Sequence, residues 1–123
     1  MPQAKDDRAA LWDMLTAARA VVSLVDGKTL DNYVADLMLR SAVERQVEII
    51  GEAARRVSRE FQDKHPEIPW RPIQAQRQVL AHEYGEIKHD RLWRVATLHV
   101  GELIEQLQRL VPEAPADDVN PAS

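Results

Sequence analysis

The chain has 123 residues, of which 45% are hydrophobic and 29% are charged, and it contains no cysteine. This composition is typical of one soluble domain whose core needs no metal or disulfide. The lack of cysteine excludes thiol nucleophiles, redox pairs and cysteine zinc sites. The first residues show no apolar stretch after a basic start, so the sequence predicts neither a signal peptide nor a membrane span and favours a cytoplasmic location.

The charge is unevenly distributed along the chain. Sixteen Lys and Arg against twenty Asp and Glu give a net charge of −4, which argues against a protein that coats nucleic acid. Three of the acids lie in the last eleven residues, which carry no base. The stretch from Lys64 to Arg94, in contrast, contains six basic and four acidic residues. This stretch is therefore the candidate for a local positive site.

The first helix is predicted from apolar residues between positions 11 and 25, which recur three or four apart and line one helical face. Asp6 or Asp7 is expected to cap its first turn by accepting from the amide groups there. Gly27 is expected to end it in the left-handed conformation.

A second helix is predicted from about Asp31 to Glu60, because this run lacks proline and its apolar residues keep helical register. It carries a second apolar set, so its apolar stripe is wider than a surface helix needs. Two explanations remain open, a subunit interface or the central helix of a bundle. The second set consists of Leu39, Val43, Ile49 and Ala53.

Prolines and glycines divide the rest of the chain. A third helix is predicted from Pro72 to about Tyr84, with Gly85 as its stop. Asp90 is expected to cap a fourth helix that ends at Pro112 and holds His99 on its apolar face as a core residue. No strand alternation appears. The sequence thus predicts an all-α, up-down four-helix bundle over residues 1–112, followed by a disordered acidic tail over residues 113–123.

Motifs for most enzyme classes are missing. The chain has no nucleophile elbow, no phosphate loop and no dinucleotide-binding GxGxxG. One Glu-x-x-His spacing is too little for a di-iron bundle, so no metal site and no cofactor are predicted. Three glutamates four residues apart on the second helix are expected to be solvated or paired with neighbouring arginines. They are Glu44, Glu48 and Glu52.

His82 is the informative histidine, because it falls in the last turn of the third helix. The partial negative charge of a helix terminus favours the imidazolium form of such a side chain, which suits acid–base chemistry. Arg77 and Tyr84 are seven residues apart and share a face, whereas Arg77 and His82 are separated by about 140°. This offset favours a site composed from two subunits. The simpler alternative is that these residues only cap the helix.

At this point the chain resembles the HepT family of HEPN ribonucleases, the toxin half of prokaryotic pairs with a minimal nucleotidyltransferase antitoxin. The resemblance covers most of the chain. It is carried by AVERQVEIIGEAARRVS at residues 42–58, HPEIPW at residues 65–70, and the motif Arg-x4-His-x-Tyr formed by Arg77, His82 and Tyr84, followed by Asp90 and Trp93. Gln78 departs from the Asn or other small polar residue that commonly follows the motif Arg.

The resemblance implies a homodimeric, HEPN-like helical bundle with motif residues of both subunits lining one cleft, and RNA as its substrate. It implies a metal-independent endoribonuclease toxin of a type VII-like pair, with Arg77 and His82 as catalytic residues. Tyr84 would contact RNA and would also receive AMP from the nucleotidyltransferase antitoxin, which silences the toxin.

One alternative from another class stays open. The chain would then be a non-catalytic helical dimer that serves as the binding partner of a nucleotidyltransferase.

Overall fold

The computed structural model describes residues 3–82 and 84–111. The predicted tail over residues 113–123 lies outside these described residues. Within them there is no β-strand, and the predicted all-α class is confirmed. None of the helices described is both long and apolar enough to cross a membrane. The α-helices are α1 (Gln3–Val25), α2 (Leu30–Ala35), α3 (Leu37–Arg56), α4 (Arg59–Lys64), α5 (Trp70–His82), α6 (Gly85–Arg94) and α7 (Val100–Leu110), and a π-helical turn, Val95–His99, joins the last two.

Helix α3 lies at the centre of the arrangement. It packs against α1 on one side and α5 on the other, and α7 packs against α1. Buried side chains on α3 recur three or four apart, as its helical register requires. They are Leu39, Val43, Val47, Ile50, Ala53 and Ala54.

Helix α1 follows the predicted register but not the predicted start. Gly27 has a φ of 74° and ends the helix as expected. Asp7 lies inside α1 rather than at its cap, and its carboxylate is buried. It accepts hydrogen bonds from the amide of Ser58 at 2.7 Å and from the hydroxyl of Ser58 at 2.8 Å. Asp7 therefore joins α1 to the junction between α3 and α4.

The single second helix predicted from Asp31 to Glu60 is wrong, because polar side chains interrupt it twice. Asp36 is extended, and its carboxylate accepts from the amide of Leu39, so α3 starts anew there. Val57 is also extended, and the hydroxyl of Ser58 accepts from the amide of Phe61 at the start of α4. Side-chain caps outweigh the apolar pattern at both points.

The predicted boundaries of the last two helices also need correction. The third helix begins at Trp70 and ends at His82, and Gly85, although its φ is 61°, is the first residue of α6 rather than a stop. Asp90 lies within α6 and caps nothing. The fourth helix therefore starts at Gly85, six residues before Arg91, which would be its first residue after a cap at Asp90.

The π-helical turn makes the prediction for His99 wrong. A π turn takes one residue more than an α turn, so Val100 rather than His99 occupies the buried position that follows Ala96. The His99 side chain is 61% exposed, and its Nδ1 lies 3.7 Å from Glu102. His99 is a surface residue.

The HPEIPW segment forms a tight turn that fixes the start of α5. The indole of Trp70 donates to the carbonyl of His65 at 2.9 Å, and the amide of Ile68 donates to the same oxygen at 3.2 Å. The ring of His65 packs on Phe61 with 4.4 Å between centroids. Trp70 and Ile68 are buried. These residues are structural, and they set the point from which α5 runs along α3.

Gly51 allows α3 and α5 to approach each other closely. A Cβ atom at this position would lie 3.2 Å from the carbonyl oxygen of Ile73. Glycine in a helix costs roughly 1 kcal/mol relative to alanine, so the close approach of the two backbones is the reason for a glycine here. Gly101 on α7, in contrast, has open space around it.

We expect Gly51→Val to lower the free energy of unfolding by about 1–3 kcal/mol, because the added methyl groups overpack the contact with Ile73. Gly101→Ala is the matched control and should raise it by about 0.5–1 kcal/mol, because the helix gains propensity without a clash. Urea unfolding followed by circular dichroism measures both. A Gly51→Val protein as stable as the wild type would contradict the proposed role of the glycine.

Candidate active site

His82 and Tyr84 lie at the turn between two helices. His82 is the last residue of α5 and is exposed. Tyr84 precedes α6, has an extended backbone and is 77% exposed. The structure therefore brings both predicted site residues to one corner of the bundle and gives both access to solvent. No side chain at Tyr84 caps the first turn of α6.

Arg77 lies on α5, and its side chain lies outside the described residues. The α-helix runs without interruption from Arg77 to His82. The predicted angular offset of about 140° between the two positions therefore applies to this helix. Gln78, the departure from the family pattern, is exposed.

Behind this corner lies a group of polar and aromatic side chains from α2, α3 and α6. Lys88 pairs with Glu44 at 3.3 Å, and both side chains are largely shielded from solvent. The ring of Tyr33 meets His89 edge-on at 6.2 Å and Trp93 at 5.6 Å. His89 is thus half-buried against an aromatic ring instead of facing solvent, and Trp93 is a packing residue.

Tyr33 is fully buried, and its hydroxyl has no hydrogen-bond partner among the described residues. Burial raises the pKa of this phenol to about 12, and the charge of Glu44 contributes in the same direction, while Arg40 opposes it. The ring anchors α2 to α6. Its hydroxyl makes no hydrogen bond among the described residues, so a phenylalanine at this position would keep the same packing.

Exposed apolar side chains gather at the end of the bundle that holds His82. Leu37 and Met38 stand at the start of α3, and Met38 is 82% exposed. Ile87 in the first turn of α6 is also exposed. Ile73 near the start of α5 lies against Gly51 near the end of α3, and the two helices pack extensively, so α5 runs antiparallel to α3. The starts of α3 and α6 and the end of α5 therefore lie at one end.

The second apolar set predicted for a subunit interface is mainly inside the monomer. Leu39, Val43 and Ala53 are buried, and Ile49 is partly buried. The central-helix explanation therefore accounts for the wide stripe. The large apolar side chains left most exposed are instead Leu37 and Met38 at the start of α3, Ile87 in α6 and Leu98 in the π turn, with Val22, Leu30 and Val34 exposed to a smaller extent.

A cavity of about 480 Å³ separates α5 from the α6–α7 helix. Its floor is apolar, and polar and charged side chains stand around its rim. The sequence placed Arg91 and Arg94 in a positive stretch but gave no sign of a cavity, because the stretch is brought against α5 only by the fold. The lining includes Val47, Ile50, Ile73, Gln76, Arg91, Arg94, Val95, His99 and Gln106.

The glutamate ladder on α3 is ion-paired as predicted. Arg45 lies 3.5 Å from Glu48 and 3.9 Å from Glu52, and Glu44 pairs with Lys88. Over the described part of the chain, no three His, Asp or Glu side chains are grouped as metal ligands would be.

Comparison with known proteins agrees with the motif. A model of the HepT-like ribonuclease family matches residues 14–110. The candidate RNase MJ0127 of Methanocaldococcus jannaschii is 29% identical over 120 residues, which cover 98% of each chain. The candidate RNase TTE0752 of Caldanaerobacter subterraneus is 31% identical over 107 residues, 87% of this chain and 96% of the relative. The probable ribonuclease HepT of Thermococcus cleftensis is 29% identical over 100 residues, 81% and 91% respectively. No solved structure gives a significant match.

The family match over most of this all-helical chain identifies its class as a helical ribonuclease. The matched residues extend over most of the chain and include the whole Arg-x4-His-x-Tyr motif. The chain belongs to the HepT-like ribonuclease family, and it is an enzyme of that class.

We expect Tyr33→Phe to leave the free energy of unfolding at pH 7 unchanged or to raise it by up to about 1 kcal/mol, because a buried hydroxyl without a partner is removed. Between pH 10 and 12 the unfolded phenol ionises while the folded one, with its raised pKa of about 12, stays neutral. The wild type should therefore lose roughly 2–3 kcal/mol over this range from Tyr33 alone, and the variant should be spared that loss. Urea unfolding at pH 8, 10 and 11.5 measures the difference; equal pH slopes would contradict it.

Proposed function

We propose that the protein is a metal-independent endoribonuclease toxin that cleaves RNA at a site made by two subunits and is silenced by a nucleotidyltransferase antitoxin. One observation carries the proposal. The exposed His82 ends α5 five residues after Arg77, at the end of the bundle where Leu37, Met38 and Ile87 are exposed.

The chemistry uses the RNA's own 2′-hydroxyl. One His82 accepts its proton, the 2′-oxygen attacks the adjacent phosphorus, and the bond from phosphorus to the 5′-oxygen breaks. A second His82, from the partner subunit, protonates the departing 5′-oxygen. Arg77 stabilises the charge on the phosphorane through paired hydrogen bonds. The products are a 2′,3′-cyclic phosphate and a free 5′-hydroxyl.

A dimer supplies what one subunit lacks. The positions of Arg77 and His82 are separated by about 140° around one helix. A single subunit therefore presents the two residues poorly to one phosphate. Leu37, Met38 and Ile87 are exposed apolar side chains, and the surface that carries them is the one through which we propose that two copies pair. Pairing of two copies through this surface would bury the apolar side chains and bring two histidines to one cleft.

The amide end of α6 favours an anion at this corner, whereas the carbonyl end of α5 and Glu86 in the first turn of α6 oppose one. The first-turn amides of α6 have no side-chain cap and carry partial positive charge. Tyr84 stands beside them with its ring in solvent, where it can stack on a base. An AMP group on this hydroxyl would add negative charge and a purine at the position where RNA phosphate binds, and would block cleavage.

We expect cleavage to persist in excess EDTA, to leave 2′,3′-cyclic ends, and to fail on RNA with a 2′-deoxy nucleotide at the scissile position. His82→Ala should lower kcat by roughly 10²- to 10⁴-fold and Arg77→Ala by roughly 10²- to 10³-fold, both with unchanged circular dichroism. Gel analysis of labelled RNA and single-turnover rates measure these effects. Because the proposed chemistry uses His82 of both subunits, mixing His82→Ala with wild-type protein should lower the activity by more than simple dilution of the wild type.

Two matched controls separate chemistry from stability. Arg71 is exposed on α5, away from the corner, and Arg71→Ala should retain full activity. His65→Ala should lower stability by loosening the turn before α5 yet retain activity per folded molecule. If His82→Ala remains active while His65→Ala at matched folded fraction does not, the assignment of His82 is wrong. A fully active monomer in light scattering would remove the shared site.

We expect a nucleotidyltransferase antitoxin supplied with ATP and Mg²⁺ to add AMP to Tyr84, seen as a mass increase on the peptide that contains it, and to abolish cleavage. The exposed hydroxyl makes the transfer possible. Tyr84→Phe keeps the ring and should remain active in the presence of the antitoxin. Tyr33→Phe, in which the lost hydroxyl is buried, is the control and should still be silenced. If the antitoxin silences Tyr84→Phe fully, inhibition works by occlusion and the modification hypothesis fails.

A further inference from the structure

The cavity between α5 and the α6–α7 helix has acidic residues at one end and basic residues at the other. At one end, the side-chain amide of Gln106 donates to the carbonyl of Glu67 at 2.9 Å, and Glu67 and Glu102 stand on the rim there. At the other end stand Arg91 and Arg94. The two walls run antiparallel, so the arginine end is the one nearer to His82. An anion is therefore favoured at that end and opposed at the other.

The interior of the cavity is apolar and suits a flat ring. Val47 and Ile50 of α3 form the floor and are buried, and Ile73 and Val95 form part of the two walls. The volume of about 480 Å³ is in the range of small-molecule sites. RNA bases present flat apolar faces that gain from such burial once they leave the stack.

Gln76 supplies a polar group that the fold itself does not use. It lines the cavity, and its Oε1 is buried with no hydrogen-bond partner among the described residues. A buried carbonyl without a partner costs about 1–3 kcal/mol. A donor on a ligand in the cavity would satisfy this oxygen once the side-chain amide turns toward it.

The π-helical turn forms the wall opposite Gln76. Val95, His99 and Val100 all line the cavity, and they come from this turn and the residue that follows it. Such turns occur often at functional sites, because the widened backbone makes room that a regular helix closes. The cavity therefore has an apolar floor, one unsatisfied acceptor, and cations at the end that faces the active site.

We propose that this cavity binds one base of the RNA substrate, a base with an exocyclic amino group that donates to Oε1 of Gln76, while the phosphate of the same nucleotide lies at Arg91 and Arg94. Gln76 precedes His82 by six residues, or about 9 Å along the helix axis. Neighbouring nucleotides of one strand can span this distance. The inference rests on the ribonuclease activity proposed for His82 and gives it a base preference near the cut.

The test compares adenosine with purine riboside, which lacks only the amino group, at each nucleotide beside the scissile phosphate in otherwise identical RNA. At one position the wild type should cleave the adenosine substrate with a kcat/KM about five- to tenfold higher, as one hydrogen bond allows. Gln76→Leu should reduce this ratio to near one. Gln74→Leu, on the same helix but bonded to Gln62 at 3.4 Å outside the cavity, should keep it. A preference that Gln76→Leu leaves intact, or no preference at any position, would overturn the proposal.

A second measurement separates this proposal from the ribonuclease activity itself. A 2′-deoxy dinucleotide containing adenine, which cannot be cleaved, is titrated into the wild-type protein and followed by amide chemical shifts. Shifts at Val47, Ile73 and Val95 that are lost in Gln76→Leu and kept in Gln74→Leu support the base site even if RNA is not cleaved. RNA cleavage without shifts at these residues would refute the base site and leave the ribonuclease proposal standing.

Discussion

The close approach of two helical backbones at Gly51 is the constraint on which the position of α5, and with it of His82, depends. The missing side chain lets the carbonyl of Ile73 come to a distance that any Cβ would crowd. From that contact α5 runs antiparallel to α3, and its last residue, His82, reaches the end of the bundle where α6 begins. The turn closed by Trp70 and His65 fixes the other end of the same helix. Both segments that carry the family resemblance outside the motif thus position α5.

Helix α5 packs more closely against α3 than against the α6–α7 helix. It packs on α3 over its length, whereas a cavity lies between it and the α6–α7 helix. Arg77 and His82 therefore lie on a helix that packs against α3 on one side and borders a cavity on the other. A rigid element beside an open space suits a protein that must hold catalytic groups steady and admit RNA.

The sequence was sufficient for the class of fold and for the motif, and insufficient wherever one residue changed a boundary or a register. Apolar spacing identified α1 and the buried face of α3, because a run of apolar residues three or four apart has few other solutions. It missed the breaks at Asp36 and Val57, since a cap can end a helix inside an unbroken apolar pattern. It placed His99 in the core because an α-helical register cannot anticipate a π turn.

Tertiary contacts were hidden from the sequence for a different reason. Asp7 and Ser58 are 51 residues apart, and nothing near either one indicates their pairing. The cavity and the orphan oxygen of Gln76 arise only when α5 meets α6 and α7. The proximity of His82 and Tyr84 could be predicted because they are two residues apart on the chain, whereas the surroundings of Gln76 come from three separate helices.

The π turn from Val95 to His99 shifts the sequence register of the buried residues between α6 and α7. Helix α6 directs Leu92 inward and carries Lys88 and Trp93 toward α2 and α3, while α7 directs Leu103 and Leu107 toward α1. A π turn holds one residue more than an α turn, so the buried positions of α7 lie one residue later in the chain than an unbroken α-helical register from α6 would place them. The additional residue thus allows α6 to contact α2 and α3 while α7 contacts α1, although the two helices follow each other without a loop.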